Sequence, residues 1–270
     1  ALELVERHKV TFISGVPTTY QMIAEHPDWE KTDISSLQSL TCGGSAVPLR
    51  ILEAYVDRGL SFTMGYGMTE TAPGATTLPA RYSRDKMGSA GLPQFHTHVR
   101  VADFDGSVLP PNEVGEVQIQ GPNVIKGYWN REEANKNSFI TDDSGTWFRS
   151  GDMGYMDDDG FLFISDRLKD MIISGGENIY PAQVEQELAQ LESIAAVAVF
   201  GVPDEKWGEV GRAAIVVREG HELTEDEVLS HLDGRLARYK IPKSVVFVDD
   251  MPRTASGKIR KPQLREKYGN

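Results

Sequence analysis

The chain has 270 residues, of which 40% are hydrophobic and 25% charged, and it carries a formal net charge of -12. That balance describes a globular chain long enough for one large domain or two ordinary ones, and it argues against a general nucleic-acid binder. No apolar run approaches the roughly 20 residues that span a bilayer, and the single cysteine, Cys42, excludes an internal disulfide and a thiolate zinc cluster. The expectation is a soluble, cytoplasmic protein. Its charge is uneven, with acids crowding Glu132 to Asp170 and Lys and Arg dominating from Arg235 onward. A basic tail of this kind suits a segment that visits an anionic ligand.

Taken in chain order, Ala1 to His8 reads as the end of a helix with no initiating cap. A buried strand follows over Val10 to Ser14, then a helix over Thr18 to Glu25 and a strand over Leu37 to Thr41. Leu49 to Arg58 reads as a helix and Ser61 to Met64 as a short strand. Alternating strands and helices imply a parallel sheet whose ligands sit beyond the C-terminal strand ends, so the turns after Thr41 and Met64 are where a site is expected. From about Val99 the pattern changes to short strands, Val99 to Ala102, Glu116 to Gln120 and Gly160 to Ser165, separated by Asp-Gly, Pro-Asn and Asp-Asp-Gly turns. These suggest a small antiparallel unit. After Asp166 come a helix over Ala182 to Leu191, strands near Ala195 to Phe200 and Ala213 to Val217, a helix over Glu225 to Arg238 and a strand over Ser244 to Val248. That is a compact α+β module of about 100 residues, near the size of an independent domain.

Five short segments carry groups suited to chemistry. Thr41-Cys42-Gly43-Gly44-Ser45-Ala46 lies between a strand and a helix, where small residues and free amides could receive a flat ring. It is not a nucleophile elbow, because Gly-x-Ser-x-Gly cannot be read across it. Gly65-Tyr66-Gly67-Met68-Thr69-Glu70 places an aromatic face, a hydroxyl and a carboxylate in one glycine-hinged loop, the groups that stack a base, bond a phosphate and hold a hard cation. In Trp147 to Asp152 the Asp152 carboxylate can accept both hydroxyls of a ribose, and Arg167 suits the same sugar or a phosphate. Ile173 to Asn178 reads as a flexible loop ahead of Pro181, which opens the next helix. Finally, Pro252-Arg253-Thr254-Ala255-Ser256-Gly257-Lys258-Ile259-Arg260 holds a lysine on a Ser-Gly turn; Ile259 after the lysine rules out a nucleotide P-loop. Each segment taken singly is better explained as a structural turn.

Read in order and spacing, these segments resemble the adenylate-forming superfamily of acyl-CoA synthetases, non-ribosomal adenylation domains and firefly-type luciferases. The similarity runs from about Val10 to Lys258, and its most specific motifs are Gly65 to Glu70, Arg149 to Asp152, Asp166 to Tyr180 and Pro252 to Arg260. The resemblance implies an α/β fold: the C-terminal part of a large adenylating domain over residues 1–168, α/β to about residue 98 with the small β unit over about 99–168, then a separate α+β lid over 169–270. It implies that Gly43, Gly44 and Ser45 line an adenine site with Tyr66 stacking on the base and Gly67 beside it. Thr69 would contact the α-phosphate, Glu70 would help bind magnesium, and Asp152 and Arg167 would hold the ribose. Lys169 would be the pivot of the lid, Gly175 and Gly176 would line the channel for the pantetheine arm of coenzyme A, and Lys258 would engage the reacting carboxylate and α-phosphate.

The implied reaction joins a carboxylic acid, a fatty acid first among the classes, to AMP from ATP with Mg2+ present, then passes the acyl group to coenzyme A. An adenylation or luciferase-like activity, or a fragment that binds nucleotide or a partner without catalysis, is the alternative, and a homodimer is left open. The family's glycine-, serine- and threonine-rich phosphate loop has no counterpart in the chain. The expectation is therefore a C-terminal portion, inactive or nearly so by itself. Other residues are read as structural: His96 and His98 spaced on one side of a strand, Trp129 and Trp207 as packing residues, and Cys42 as a small core residue.

Overall fold

The structure is a computed structural model that describes residues 1–43, 49–254 and 257–269. It divides into two compact units, Ala1–Ile164 and Ser165–Asn270. No helix among the described residues is long and apolar enough to cross a membrane.

The first unit opens with α1 (Leu2–His8), which ends where Lys9 enters the left-handed region at φ 50 and turns the chain into β1 (Phe12–Gly15). Pro17 then starts α2 (Pro17–Ala24), as suits a residue with no N–H to leave unpaired at a helix start. β2 (Ser39–Gly43), α3 (Leu49–Val56), β3 (Phe62–Tyr66), β4 (Thr76–Leu78) and β5 (Leu92–Pro93) follow. They form one sheet in the order β1-β2-β3-β4-β5. The first three strands are parallel, as the alternation of strand and helix predicts, and β3–β4 and β4–β5 are antiparallel. The strand expected to be buried is half open, since Phe12 is 52% exposed.

Aromatic packing sets this part of the sheet. Tyr20, Tyr55 and Phe62 are buried and meet edge-on, with ring centroids 4.8 to 5.5 Å apart. Burial raises the Tyr20 phenol above its ordinary pKa, so its hydroxyl stays a donor and reaches the carbonyls of Ile13 at 2.9 Å and Thr41 at 2.8 Å. One side chain on α2 thereby ties β1 to the C-terminal part of β2, two residues before Gly43.

The second sheet has the order β10-β9-β7-β6, with β8 paired to β9. Its strands are β6 (His98–Ala102), β7 (Gly115–Gln120), β8 (Phe139–Asp142), β9 (Gly145–Met156) and β10 (Leu162–Arg167), and the helix α4 (Glu132–Ser138) precedes β8. The pairs β6–β7, β7–β9 and β8–β9 are antiparallel. His96 lies outside β6 in a left-handed turn at φ 63, so the two histidines do not share a strand face.

The second unit begins with a hairpin, β11 (Ile172–Ser174) and β12 (Glu177–Ile179), where the sequence suggested a flexible loop. Gly175 and Gly176 are its two turn residues at φ 60 and φ 90, the left-handed pair that a two-residue hairpin with matching twist requires. Then come α5 (Pro181–Leu188), the long pair β13 (Ile194–Asp204) and β14 (Gly208–Val217), α6 (Glu225–Leu232), β15 (Ser244–Phe247) and α7 (Lys261–Tyr268). Side-chain alternation divides the core: Val199, Ala213 and Ile215 face α5 and α6 through Val184, Leu188, Val228 and Leu232, while Ala198, Phe200 and Ala214 face Met251 and Leu264. α6 starts at the capping box of Thr224 and Glu227 and stops at Leu232 rather than continuing to Arg238, because Asp233 is extended and Gly234 takes φ 76.

Candidate active site

The C-terminal ends of β2 and β3 lie side by side, with Gly43 paired to Gly65. Gly44 and Ser45 lie outside the described residues. Beyond Tyr66 the chain folds back tightly: a Cβ on Gly67 would stand 1.4 Å from the Pro73 carbonyl oxygen, so no side chain is possible there. Thr69 to Thr71 form a single 3-10 turn, and the buried Thr71 hydroxyl accepts the Met68 N–H at 3.0 Å. Thr69 is exposed and Glu70 half-buried at this tip.

Asp152 comes from the second sheet and reaches the same loop. The Tyr66 hydroxyl donates to Asp152 Oδ2 at 2.7 Å, although the residues are 86 positions apart. Asp152 is 2% exposed on β9, and a bulge aims it there. Between the pairs Gln118↔Arg149 and Glu116↔Met153, Val117 alone on β7 stands against Ser150, Gly151 and Asp152 on β9. Gly151 takes φ 69 to make the bulge, the Ser150 hydroxyl donates to the Val117 carbonyl at 2.6 Å, and the same hydroxyl accepts the Asp152 N–H at 3.0 Å. Glu116, 2% exposed, accepts Arg149 Nε at 2.7 Å and the Gly151 N–H at 3.3 Å. The segment Trp147 to Asp152 is thus the middle of a strand rather than the turn expected of it.

Glu70 is held from a different direction. The Tyr128 hydroxyl donates to Glu70 Oε1 at 2.8 Å, and the Ile125 N–H donates to the Glu70 carbonyl at 2.9 Å. Burial first, and the bonded Glu70 carboxylate second, raise the Tyr128 phenol above its ordinary pKa, so it remains a donor. Asn123 adds two bonds, to the Thr71 carbonyl at 3.0 Å and the Gly74 carbonyl at 2.6 Å. Asn135 fixes Tyr128 itself, accepting its N–H at 2.6 Å and donating to its carbonyl at 3.0 Å. Residues 123–128 therefore form a strap that braces the Thr69-Glu70 tip by four backbone or carboxylate contacts.

In the second unit, Arg167 and Lys169 are exposed at the end of β10 and in the 3-10 turn after it. Just before them Asp166 accepts the Arg167 N–H and the Ala182 N–H, both at 2.7 Å, so one carboxylate ties this segment to the start of α5. The Gly175 N–H donates to the Trp207 carbonyl at 2.8 Å, and a Cβ on Gly175 would stand 2.6 Å from the Trp207 ring. Trp207, 42% exposed, packs against this turn as a packing residue should, whereas Trp129 is 90% exposed. Cys42 is buried, as expected of a small core residue, and burial pushes its thiol up to about 11. Lys258 is exposed on a narrow turn closed by the bridge between Arg253 and Ile259.

The positions that sequence reasoning missed are those that hold other groups: Ser150, Glu116, Asn123 and Tyr128. Short-range pattern gives no warning of them, because each acts on a partner in another strand or loop. Pro122-Asn123 was legible only as a turn.

Comparison with known proteins shows the family. The profile of the AMP-binding enzyme family matches residues 1–129, and that of the AMP-binding enzyme C-terminal domain matches residues 183–258. A feruloyl-CoA synthase of Amycolatopsis sp is 52% identical over 99% of the chain and 54% of its own length. A long-chain-fatty-acid–CoA ligase of Mycobacterium tuberculosis is 41% identical over 98% of the chain and 52% of its own length. Among solved structures, o-succinylbenzoate coenzyme A synthetase from Bacillus subtilis in complex with ATP and magnesium ion superposes with a TM-score of 0.85 at 40% identity, over 98% of this chain and 53% of that one. The chain spans about half the length of the relatives it matches. With both halves of its sequence matched by paired profiles of one family, the chain belongs to the AMP-binding, adenylate-forming enzymes.

Proposed function

We propose that the chain serves an AMP-forming acid–thiol ligase that activates a carboxylic acid as its acyl-adenylate and transfers the acyl group to coenzyme A. The observation that carries this reading is the bond to Asp152 from Tyr66, at the end of β3 and four residues before Glu70, in a chain whose relatives are CoA ligases. In this reading Gly43, Gly44, Ser45, Tyr66 and Gly67 form the adenine site, and Asp152 with Arg167 receives the ribose. The Tyr66 hydroxyl, by donating to Asp152 Oδ2, fixes the carboxylate while its ring takes the base. Thr69 meets the α-phosphate.

The residues fit a magnesium ion that arrives with the nucleotide. Mg2+ takes hard oxygen donors and is usually held by one or two carboxylates plus phosphate oxygens and water. Glu70 supplies one such carboxylate beside the Thr69 hydroxyl. Among the described residues no group of three or more His, Cys, Asp or Glu side chains could hold a metal by itself. When bound, the ion would neutralise phosphate charge.

The chain's own groups then divide two steps. In the first, a carboxylate oxygen of the acid attacks the α-phosphorus of ATP and pyrophosphate leaves; the ammonium of Lys258 offsets the charge that accumulates. In the second, the coenzyme A thiol, having lost its proton, attacks the acyl carbon and AMP leaves. Lys169 is the pivot that exchanges Lys258 for the Gly175-Gly176 turn, which would line the thiol's approach. The lid is assigned to 169–270 on this basis.

An aromatic acid is placed ahead of a fatty acid as substrate, because the relative named for feruloyl-CoA is 52% identical and the one named for long-chain fatty acids 41%. Assaying the full-length enzyme with a panel of aromatic and fatty acids, ATP, Mg2+ and coenzyme A tests the reading. Acyl-CoA formation, with aromatic acids giving the higher kcat/KM, is expected. Neither pyrophosphate exchange nor acyl-CoA with any acid would overturn it, and nucleotide binding without turnover would favour the non-catalytic alternative. A cytoplasmic location belongs to the same proposal.

A further inference from the structure

Lys258 stands on a hairpin too small to have a core of its own. The Thr254 N–H donates to the Lys258 carbonyl at 2.8 Å, the Gly257 N–H to the Thr254 carbonyl at 2.9 Å, and the Arg260 N–H to the Pro252 carbonyl at 2.8 Å. A two-stranded turn of this size is at best marginal alone, so its placement is set by what flanks it. On the C-terminal side α7 follows at once, and its first residue, Lys261, points back into the unit. Lys261 Nζ lies 2.8 Å from Glu185 Oε1 on α5, with the two side chains 14% and 22% exposed. The same Oε1 accepts the Val199 N–H of β13 at 2.7 Å.

A second carboxylate joins them. Asp166, which bonds the Arg167 and Ala182 amides, lies close enough to act on the ionisation of both Glu185 and Lys261. Burial opposes the charge on Lys261, but the carboxylates of Glu185, Asp166 and Asp170 outweigh it and raise its pKa. Exposed ion pairs contribute little, whereas removing one member of a largely buried pair leaves an uncompensated charge. The remainder of α7 is fixed by Leu264, 1% exposed, and by Arg265 Nε, which donates to the Gly201 carbonyl at 3.2 Å.

We propose that Lys261 and Glu185 are positioning residues for Lys258: they lock its hairpin to α5 and β13. This inference rests on the reading of Lys258 as the adenylation lysine. A misplacement of about 1 Å in a reacting group can cost about 10²-fold in rate, which is the scale on which such a brace acts.

The test uses Lys261→Met, Lys261→Arg and Glu185→Gln. In the full-length enzyme the two half-reactions are measured separately. In the 270-residue chain, tryptic cleavage after Lys258 and Arg260 is timed; Pro262 blocks cleavage after Lys261 in every case. Lys261→Met and Glu185→Gln are expected to lower kcat for adenylation by about 10- to 10²-fold. KM for ATP and the rate of thioester formation from pre-made acyl-adenylate stay unchanged, and cleavage accelerates several-fold. Lys261→Arg restores both readouts. Parallel loss of the two half-reactions, no loss in either, or unaltered cleavage each overturns the brace. Should Lys261→Met fail to fold, Glu185→Gln decides, since its neutral side chain still accepts the Val199 N–H. If the wild-type enzyme forms neither acyl-adenylate nor acyl-CoA, the ligase reading fails, while the cleavage rates still decide whether the pair holds the hairpin.

Discussion

Tyr66 and Asp152 reach each other from different sheets, and their 2.7 Å bond does two things at once. It satisfies a carboxylate that is 2% exposed, and it anchors the far end of the tyrosine ring. Replacing Tyr66 by Phe removes one donor from that carboxylate but keeps the ring. The expected cost is about 1–3 kcal/mol of stability, read by chemical denaturation, together with a raised KM for ATP. An unchanged KM with the same stability loss would confine the bond to a structural role. Tyr128 gives a contrasting case, since it touches the carboxylate assigned to magnesium and is not itself assigned to substrate. Tyr128→Phe should leave KM for the acid unchanged and shift the Mg2+ titration of adenylation to higher concentration. Mn2+ binding measured by electron paramagnetic resonance should weaken in parallel. A Mg2+ curve identical to wild type would separate Tyr128 from the metal.

At the scale of elements, the β11–β12 hairpin shows how local chemistry and a long-range contact combine. Gly175 needs a left-handed φ, and a side chain there would meet Trp207 at 2.6 Å. Gly175→Ala therefore adds a left-handed penalty of about 1–2 kcal/mol to a steric clash. It should slow acyl transfer to coenzyme A more than adenylation, in single-turnover assays of each step. The β8–β9 turn offers a pH-dependent counterpart. Asp142 accepts from the Ser144 hydroxyl and amide and from Arg100 Nη1, and these contacts, the Ser144 hydroxyl foremost, lower its carboxyl to about 2. Because the folded value lies below the unfolded one, the turn's contribution is present above about pH 4 and is lost as pH falls through about 2. Carboxyl chemical shifts followed by nuclear magnetic resonance should show Asp142 titrating well below the free aspartates. A midpoint near 4 would mean the turn is not held by this carboxylate.

Elements also show what was legible beforehand. The α1 to β3 alternation and the β13, β14 and β15 strands could be read because their apolar spacing is local. Two elements were misread for stated reasons. The segment 147–152 carries Arg, Ser, Gly and Asp, which look like a turn, yet its partner β7 and the bulge at Gly151 make it a strand. Ile173 to Asn178 looked mobile because of its two glycines, but the glycines are the turn of a paired hairpin. α4 and α7 were passed over because their polar sequences carry little apolar periodicity, and α7 buries Leu264 alone. The site's motif residues were readable; the partners that aim them, Tyr128, Asn123, Ser150 and Glu185, were not, since each is joined to its target only by the fold.

For the whole molecule, the proposed ligase function divides its two steps between Lys258 and the Gly175-Gly176 turn, both in the second unit. Lys258 and the Gly175-Gly176 turn belong to that unit, with Lys169 at its start, whereas Tyr66, Thr69, Glu70 and Asp152 belong to the first. If Lys258 acts only while an anion attacks an anionic phosphorus, removing its ammonium should damage that step and no other. Lys258→Ala is expected to slow adenylation by about 10²- to 10³-fold, the usual effect of deleting one preorganised charge donor. Thioester formation from a pre-made acyl-adenylate should proceed at the wild-type rate, because AMP is already in place and the thiol needs no help from this lysine. Gly175→Ala should show the converse, and in the double variant each step should fall by the factor of its own single variant, as groups acting in separate steps do not couple. The decisive measurement is rapid quench of each half-reaction in the full-length enzyme. Equal loss of both steps in Lys258→Ala would sink the division of labour, since a lysine confined to one step cannot slow the other.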